Sequence, residues 1–349
     1  MILADLAYWQ ETLLRVVGVL LAFVLASGLL VYIFLFKIVS FLQSRLGPME
    51  AGPYGSLQLV AEVGRFIQKE DLIPERADRR VFKMAPYIVM ITAMLLFIAI
   101  PAGPDAVGVP LDTGIYFVLA VSSISVLGVL MAGWASGSKY SLIGGLRATG
   151  QLIAYELPLV LAVVGVVIQT GGLSFTAIVE AQSGGSIFGW DALGNPFILT
   201  QFIALGIFLV AMQAELSQTP FDMPVAESEV VGGYHVEYSG VRFLFFFLAE
   251  FASAFAFSAI AAVLFLGGWT LPTFMGDIWD GFSSDSNWMN FIGPLVLAGK
   301  TLIFVFLIFW VRFSYPRLRE DQLQAFAWKF LIPLALANIA VTGLLKVVF

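Results

Sequence analysis

Apolar residues run along this chain in long stretches, separated by shorter segments where charged residues, Gly and Pro gather. A helix that crosses the hydrocarbon of a bilayer needs about 20 mostly apolar residues. Eight stretches come up to that mark, roughly 11 to 38, 82 to 101, 114 to 135, 147 to 170, 197 to 214, 239 to 267, 294 to 313 and 327 to 347. None shows the apolar–polar alternation of a transmembrane barrel strand. The pattern predicts an all-α polytopic integral membrane protein, a single membrane domain over residues 1 to 349 with eight transmembrane helices. The first stretch is too long for a signal peptide and lacks a small-residue cleavage site, so it reads as a retained helix.

The basic residues add a topology. Of the 18 lysines and arginines, all but Arg15, Lys300 and Lys346 fall in or beside the gaps 39 to 81, 136 to 146, 215 to 238 and 314 to 326. The gaps 102 to 113, 171 to 196 and 268 to 293 carry acids and no base, with Gly and Pro at their tips, among them Pro101, Gly184, Gly185 and Gly267. Cytoplasmic loops hold an excess of Lys and Arg. The basic gaps are therefore expected on the cytoplasmic side, and both termini on the periplasmic side of a bacterial inner membrane.

Within the first basic gap, Leu59, Val60, Val63, Phe66 and Ile67 recur at helical spacing, while Gln58, Glu62, Arg65 and Lys69 take the opposite face. This spacing predicts an amphipathic helix at the membrane surface. Its polar face either meets solvent or lines a site.

Composition narrows the chemistry. The chain is 60% hydrophobic and 12% charged, and a mean hydropathy of +0.93 excludes a water-soluble protein. A net charge of −6 gives no basic surface for nucleic acid. There are no cysteines and one histidine, His235. Disulfides, cysteine-ligated iron–sulfur clusters, Cys/His zinc sites and a bis-histidine haem are excluded within this chain. No metal and no covalently bound cofactor is expected, so any redox chemistry rests with another chain or a diffusible molecule.

Ionisable side chains inside spans are costly and mark either a functional path or a paired structural site. Glu156 lies nine residues into the fourth span, about 13 Å from its inner end, and Lys300 about 18 Å before Arg312 at the inner end of the seventh. Glu250 lies eight residues past Arg242 in the sixth. These groups suit a proton or polar-ligand pathway; the alternative is a Glu250–Lys300 ion pair tying two helices together. Pro158, just after Tyr155 and Glu156, removes a helical hydrogen bond and predicts a bend or hydration there.

The third basic gap holds Glu215, Asp222, Glu227, Glu229 and Glu237, interleaved with Pro220, Phe221, Pro224, Gly232, Gly233, Tyr234 and Tyr238. So many acids with no base between them require protonation, hydrogen bonding or basic partners elsewhere. They read as an acidic pore mouth or as a solvated loop.

The run from Ala214 to Gly240, with Thr219-Pro220-Phe221-Asp222 and Gly232-Gly233-Tyr234-His235, strongly resembles the central loop of the quinone-chamber membrane subunit family of respiratory complex I, the H-type subunit of NADH:quinone oxidoreductase or mitochondrial subunit 1. Arg45, Gly47, Pro48, Gly52, Pro53, Gly55 and Gln58 resemble its first inner loop, and Lys69 and Glu70 its Lys-Glu pair. Ala135, Ser136, Lys139, Tyr140 and Ser141 lead to Arg147, Gln151, Tyr155 and Glu156 in the family's order. The resemblance spans nearly the whole chain.

It implies a non-redox membrane subunit whose chamber admits a lipid quinone as a diffusible substrate, with iron–sulfur clusters and flavin on partner subunits. Expected partners are the peripheral-arm iron–sulfur and quinone-site subunits and the antiporter-like and small membrane subunits. On the family pattern Glu156, Glu215 and Glu250, with Tyr155 and Lys300, belong to a proton route. Arg45, Glu62, Lys139, Tyr140, Phe221, Asp222, Glu227, Glu229 and Arg312 belong to the quinone chamber. The chain departs from the family at Leu35 and Phe36, where charged residues are usual, and at Ser217, Gln218 and Val225. A membrane anchor of an energy-converting hydrogenase is the alternative, disfavoured by the Tyr155-Glu156 segment. A stand-alone transporter would need an internal repeat, and the chain has none.

Overall fold

A computed structural model of the chain describes residues 8–184, 195–225, 227–271 and 288–348. Regular structure among them is entirely helical. Helix α1 (Tyr8–Leu29) continues through a π-helical stretch, Leu30–Ile38, to Leu42. There follow α2 (Gln58–Gln68), α3 (Arg79–Ala99), α4 (Gly114–Ala135), α5 (Lys139–Thr170) and α6 (Phe175–Ser183). Then come α7 (Phe202–Glu215), α8 (Gly240–Leu266), α9 (Met289–Ser314) and α10 (Glu320–Phe326). A π-helical turn, Ala327–Leu331, joins α10 to α11 (Ile332–Val348).

Seven of the described helical runs are long and apolar enough to cross a membrane: α1 with its continuation, α3, α4, α5, α8, α9 and the run α10–α11. The chain is an all-α polytopic membrane protein. The expected span at 197 to 214 is built differently. Phe197–Thr200 forms one turn, the backbone breaks at Gln201, and α7 has 14 residues, about 21 Å at 1.5 Å per residue and short of a hydrocarbon core of about 30 Å. The break puts a polar side chain to use: Gln201 Nε2 donates to Thr342 Oγ1 (2.9 Å), and its Oε1 accepts from Asn338 Nδ2 (3.0 Å). All three are buried, so the short helix is tied to the last one by satisfied polar groups.

Helix α5 begins at Lys139, ahead of the expected 147, and runs as one element through Pro158. The bend expected there does not interrupt it. Of the connections assigned to the outer side, 185–194, with Gly185, and 272–287 lie outside the described residues.

Small residues set the closest helix contacts. A Cβ built on Gly133 of α4 would stand 2.8 Å from the Gly145 Cα of α5. Such close backbone approach is a main source of helix association where lipid removes the hydrophobic drive. Helix α8 packs against α3 and α9 and buries Ala249, Ala252, Ala256, Phe257 and Ile260. Asp78 caps α3 by accepting from the Arg80 and Val81 N–H groups, while Gly171 and Gly267 end α5 and α8 in the left-handed conformation that favours glycine.

The amphipathic helix expected after the first span is α2. None of its residues is buried, and Phe66 stacks on Phe243 of α8 with ring centroids 5.6 Å apart.

Candidate functional site

The loop between α7 and α8 folds back against the bundle and closes a cavity of about 470 Å³. Polar and steric contacts of identifiable sequence origin set its position. Gln151 of α5 donates to the carbonyls of Ala214 and Phe221, both at 2.7 Å. Gln213 donates to Thr219 O (2.8 Å) and to Ile308 O of α9 (3.2 Å). Tyr155 donates to Leu323 O (2.9 Å) and packs edge-on against Phe221. Further on, Gly233 has φ +59°, and a Cβ there would fall 1.7 Å from Pro224 O. Only glycine lets the loop turn so tightly.

The wall is two-sided. Leu35, Val89, Leu96, Val129, Phe247, Phe251 and Phe257 make an aliphatic and aromatic surface, whereas Glu215, Asp222, Tyr234, His235, Glu250, Arg312 and Arg317 supply ionisable groups. Asp222 pairs with Arg317 at 2.9 Å. Glu250 accepts from Gln218 Nε2 at 2.6 Å and stands 3.8 Å from Arg312. Glu215 Oε2 and His235 Nε2 are buried with no hydrogen-bond partner among the described residues. Unpaired buried polar atoms on a cavity wall are suited to a bound oxygen or water. Such a site can hold an amphipathic molecule with polar oxygens at one end and exchange protons with it.

The expected site residues separate into groups. Glu215, Glu250, Asp222 and Arg312 meet on the wall. Tyr155 and Phe221 pack behind it, and Glu156 accepts a short hydrogen bond from Ser123 of α4, whose hydroxyl also lies 2.9 Å from Leu119 O. Glu62 lines a second cavity of about 280 Å³, largely apolar, between the π-helical stretch, α2 and α8.

Others lie apart from the cavity. Arg45 is exposed and donates to Gln43, and Lys139 and Tyr140 are exposed at the start of α5. Glu229 is exposed and pairs with Arg147 at 2.6 Å. The side chain of Glu227 lies outside the described residues. Lys300 Nζ donates to Leu266 O and Thr270 O, each at 2.6 Å. The alternative Glu250–Lys300 ion pair is therefore not formed. The carbonyls at the C-terminal end of α8 carry partial negative charge and draw the ammonium to themselves.

Sequence reasoning did not place Tyr234, His235, Gln218, Arg317 or the α4 serines Ser122 and Ser125 in the site. The signal for the first two was the glycine pair before them, which marks a sharp turn able to face a side chain inward. Among the described residues no group of three or more His, Cys, Asp or Glu is arranged to hold a metal.

Burial lowers the His235 pKa to about 4, so its imidazole is neutral near pH 7. Burial also raises the Tyr234 phenol, helped by Glu250 and Asp222, and the Tyr238 phenol, against an opposing effect of Arg242. Unfolded His binds a proton near pH 6.5, whereas the folded side chain waits until about pH 4. Between those values the unfolded state holds more protons, so this group's contribution to stability falls as pH falls. His235→Gln should flatten the loss of stability on acidification of the detergent-extracted protein, by at most about 3 kcal/mol over the window, read as a smaller fall in Tm. Parallel losses in the two proteins would refute a buried neutral imidazole.

Comparison with known proteins points one way. A family model described as NADH dehydrogenase matches residues 14–343. The H-type subunit of NADH-quinone oxidoreductase from Dehalococcoides mccartyi is 44% identical over 336 residues, 96% of this chain and 87% of its own. Its counterpart of the same name from Brevibacillus brevis is 43% identical, covering 96% of this chain and 94% of its own. NADH-quinone oxidoreductase subunit 8 of Rhodothermus marinus is 43% identical, covering 97% of both chains.

Proposed function

The chain belongs to the NADH dehydrogenase family, and from that premise we propose that it is the quinone-chamber membrane subunit of a proton-translocating NADH:quinone oxidoreductase. The observation that carries the reading is the cavity itself, in which Glu215, its Oε2 without a hydrogen-bond partner among the described residues, shares one wall with aromatic and aliphatic side chains. A lipid quinone has this dual character, an apolar ring and tail with two carbonyl oxygens.

Electrons reach the quinone from iron–sulfur clusters on partner subunits; this chain contributes no redox centre. Each quinone takes two electrons and two protons to become quinol. The chain's part is to hold the ring, exclude bulk water and move protons. Glu250, Glu215 and Glu156 form the proposed route, and Tyr155 and Lys300, bonded to backbone carbonyls, frame it. Two charges about 4 Å apart interact by roughly 4 kcal/mol at an effective dielectric of about 20, enough to pass a change of ionisation from one acid to the next. The start of α5 with Arg147 and the loops holding Asp222 and Arg317 face the cytoplasm in this reading, against the peripheral subunits, and both termini face the periplasm.

Tagging the chain and extracting it from native membranes in mild detergent tests the assignment. The expected result is a large assembly with iron–sulfur subunits and inhibitor-sensitive quinone reduction. A nickel-containing partner without quinone activity would move the chain to the hydrogenase branch.

A further inference from the structure

The amide of Gln218 sits between the two oppositely charged groups of the cavity wall. The residue is 3% exposed. Its Nε2 donates to Glu250 Oε1 at 2.6 Å and to Leu216 O at 3.2 Å, and its Oε1 accepts a short hydrogen bond from Arg312. These partners fix the orientation of the amide. Turned over, it would set its oxygen against a carboxylate and a carbonyl, and its NH2 against a guanidinium. Arg312 and Glu250 are meanwhile held 3.8 Å apart, about 1 Å beyond the usual distance of a charge-assisted hydrogen bond.

We infer that Gln218 is a spacer that keeps the loose Arg312–Glu250 ion pair from closing into a hydrogen-bonded one, leaving Glu250 able to take up and release a proton. Gln218 exchanges no proton itself and acts only through Glu250; it is a positioning residue. The inference rests on the quinone-chamber reading above. A guanidinium bonded through both of its N–H edges would stabilise the carboxylate strongly and remove that acid from proton exchange. The neutral amide conducts part of that attraction while holding the two charges off each other.

The groups around Glu250 define what else can respond to pH. From α7 comes Glu215, from the following loop Asp222, Tyr234 and His235, and from α9 and its end Arg312 and Arg317. The π-helical stretch, α3 and α4 bring only Leu, Val, Ala, Thr and Ser to this wall, and Glu62 and Arg65 of α2 line the separate cavity.

The test uses the intact complex in native membranes and reads the pH profile of inhibitor-sensitive quinone reduction. Gln218→Ala removes the spacer, and the alkaline limb of the profile should move about one pH unit to lower pH as Arg312 closes on Glu250. Gln218→Glu keeps the shape and adds a negative charge beside Glu250, so the same limb should move about one unit the other way. A side chain that merely packs would change the rate at all pH values alike, and an unmoved limb in the Glu variant overturns the spacer even if the Ala variant fails to assemble. Absence of quinone reduction in the wild-type complex would instead overturn the chamber reading.

Discussion

Glu215→Gln is expected to cut proton pumping at least tenfold in vesicles carrying the assembled complex, with the amount of complex unchanged. Glu215 is the last residue of α7, and its Oε2 faces the cavity wall without a partner among the described residues. Glutamine matches its shape but neither takes nor gives a proton near neutral pH. A positioned acid or base contributes on the order of a hundredfold or more to proton transfer, so loss of the group should dominate any change in packing. Glu156→Gln carries the same sign: the variant keeps an oxygen able to accept from Ser123 and loses only the exchangeable charge. Pumping driven by NADH oxidation and followed with a pH-sensitive dye measures both. Unchanged pumping in either variant removes that residue from the route.

The second large effect comes from a contact with no charge in it. A Cβ on Gly144 of α5 would stand 2.5 Å from Gly233 Cα and 2.9 Å from Tyr234 N. These are backbone atoms, and Gly233 is itself seated against Pro224 O, so the strain has no flexible side chain to absorb it. Gly144→Ala should cost about 1–3 kcal/mol and push Tyr234 and His235 out of the cavity wall. The expected signs are a lower Tm of the detergent-purified complex and loss of inhibitor-sensitive quinone reduction. Gly206→Ala on α7 is the control, because nothing lies within 4 Å of its Cβ position. Equal behaviour of the two variants would mean that the loop is not held by this contact.

Much of the architecture was legible because lipid imposes it. Span 114 to 135 coincides with α4, and 239 to 267 differs from α8 by a residue at each end. Apolar length marks the hydrocarbon slab, however, and helical hydrogen bonding does not stop where charge begins. Hence α5 extends back to Lys139, and the helical run that holds α11 begins at Glu320. The broken span at Gln201 was hidden because one glutamine in an apolar run looks the same whether it faces lipid or finds Asn338 and Thr342.

The site was read in part, for a similar reason. Acids inside spans or clustered at their ends are informative by their cost alone, and Glu250 of α8 and Glu215 at the end of α7 both line the cavity. Sequence order does not reveal which way a side chain beside a loop points, and Lys139 and Tyr140, expected at the chamber, are exposed at the start of α5 apart from this cavity. Tyr234 and His235 reach it because the glycine contact with α5 sets their turn. Gln218 carries no charge, and its importance lies only in what stands on either side of it.

The Gln201 tie bears on how the chain is made. Its amide leaves the ribosome about 140 residues before Asn338 and Thr342, a delay on the order of ten seconds at usual rates of synthesis. Through that interval the short helix has its polar break exposed to lipid or held by the insertion machinery, since an unsatisfied amide in hydrocarbon costs several kcal/mol. The chain made before Asn338 emerges is thus a waiting intermediate, and α11 is the helix that locks it. Nascent chains truncated before residue 338 should be the species that membrane quality-control proteases remove.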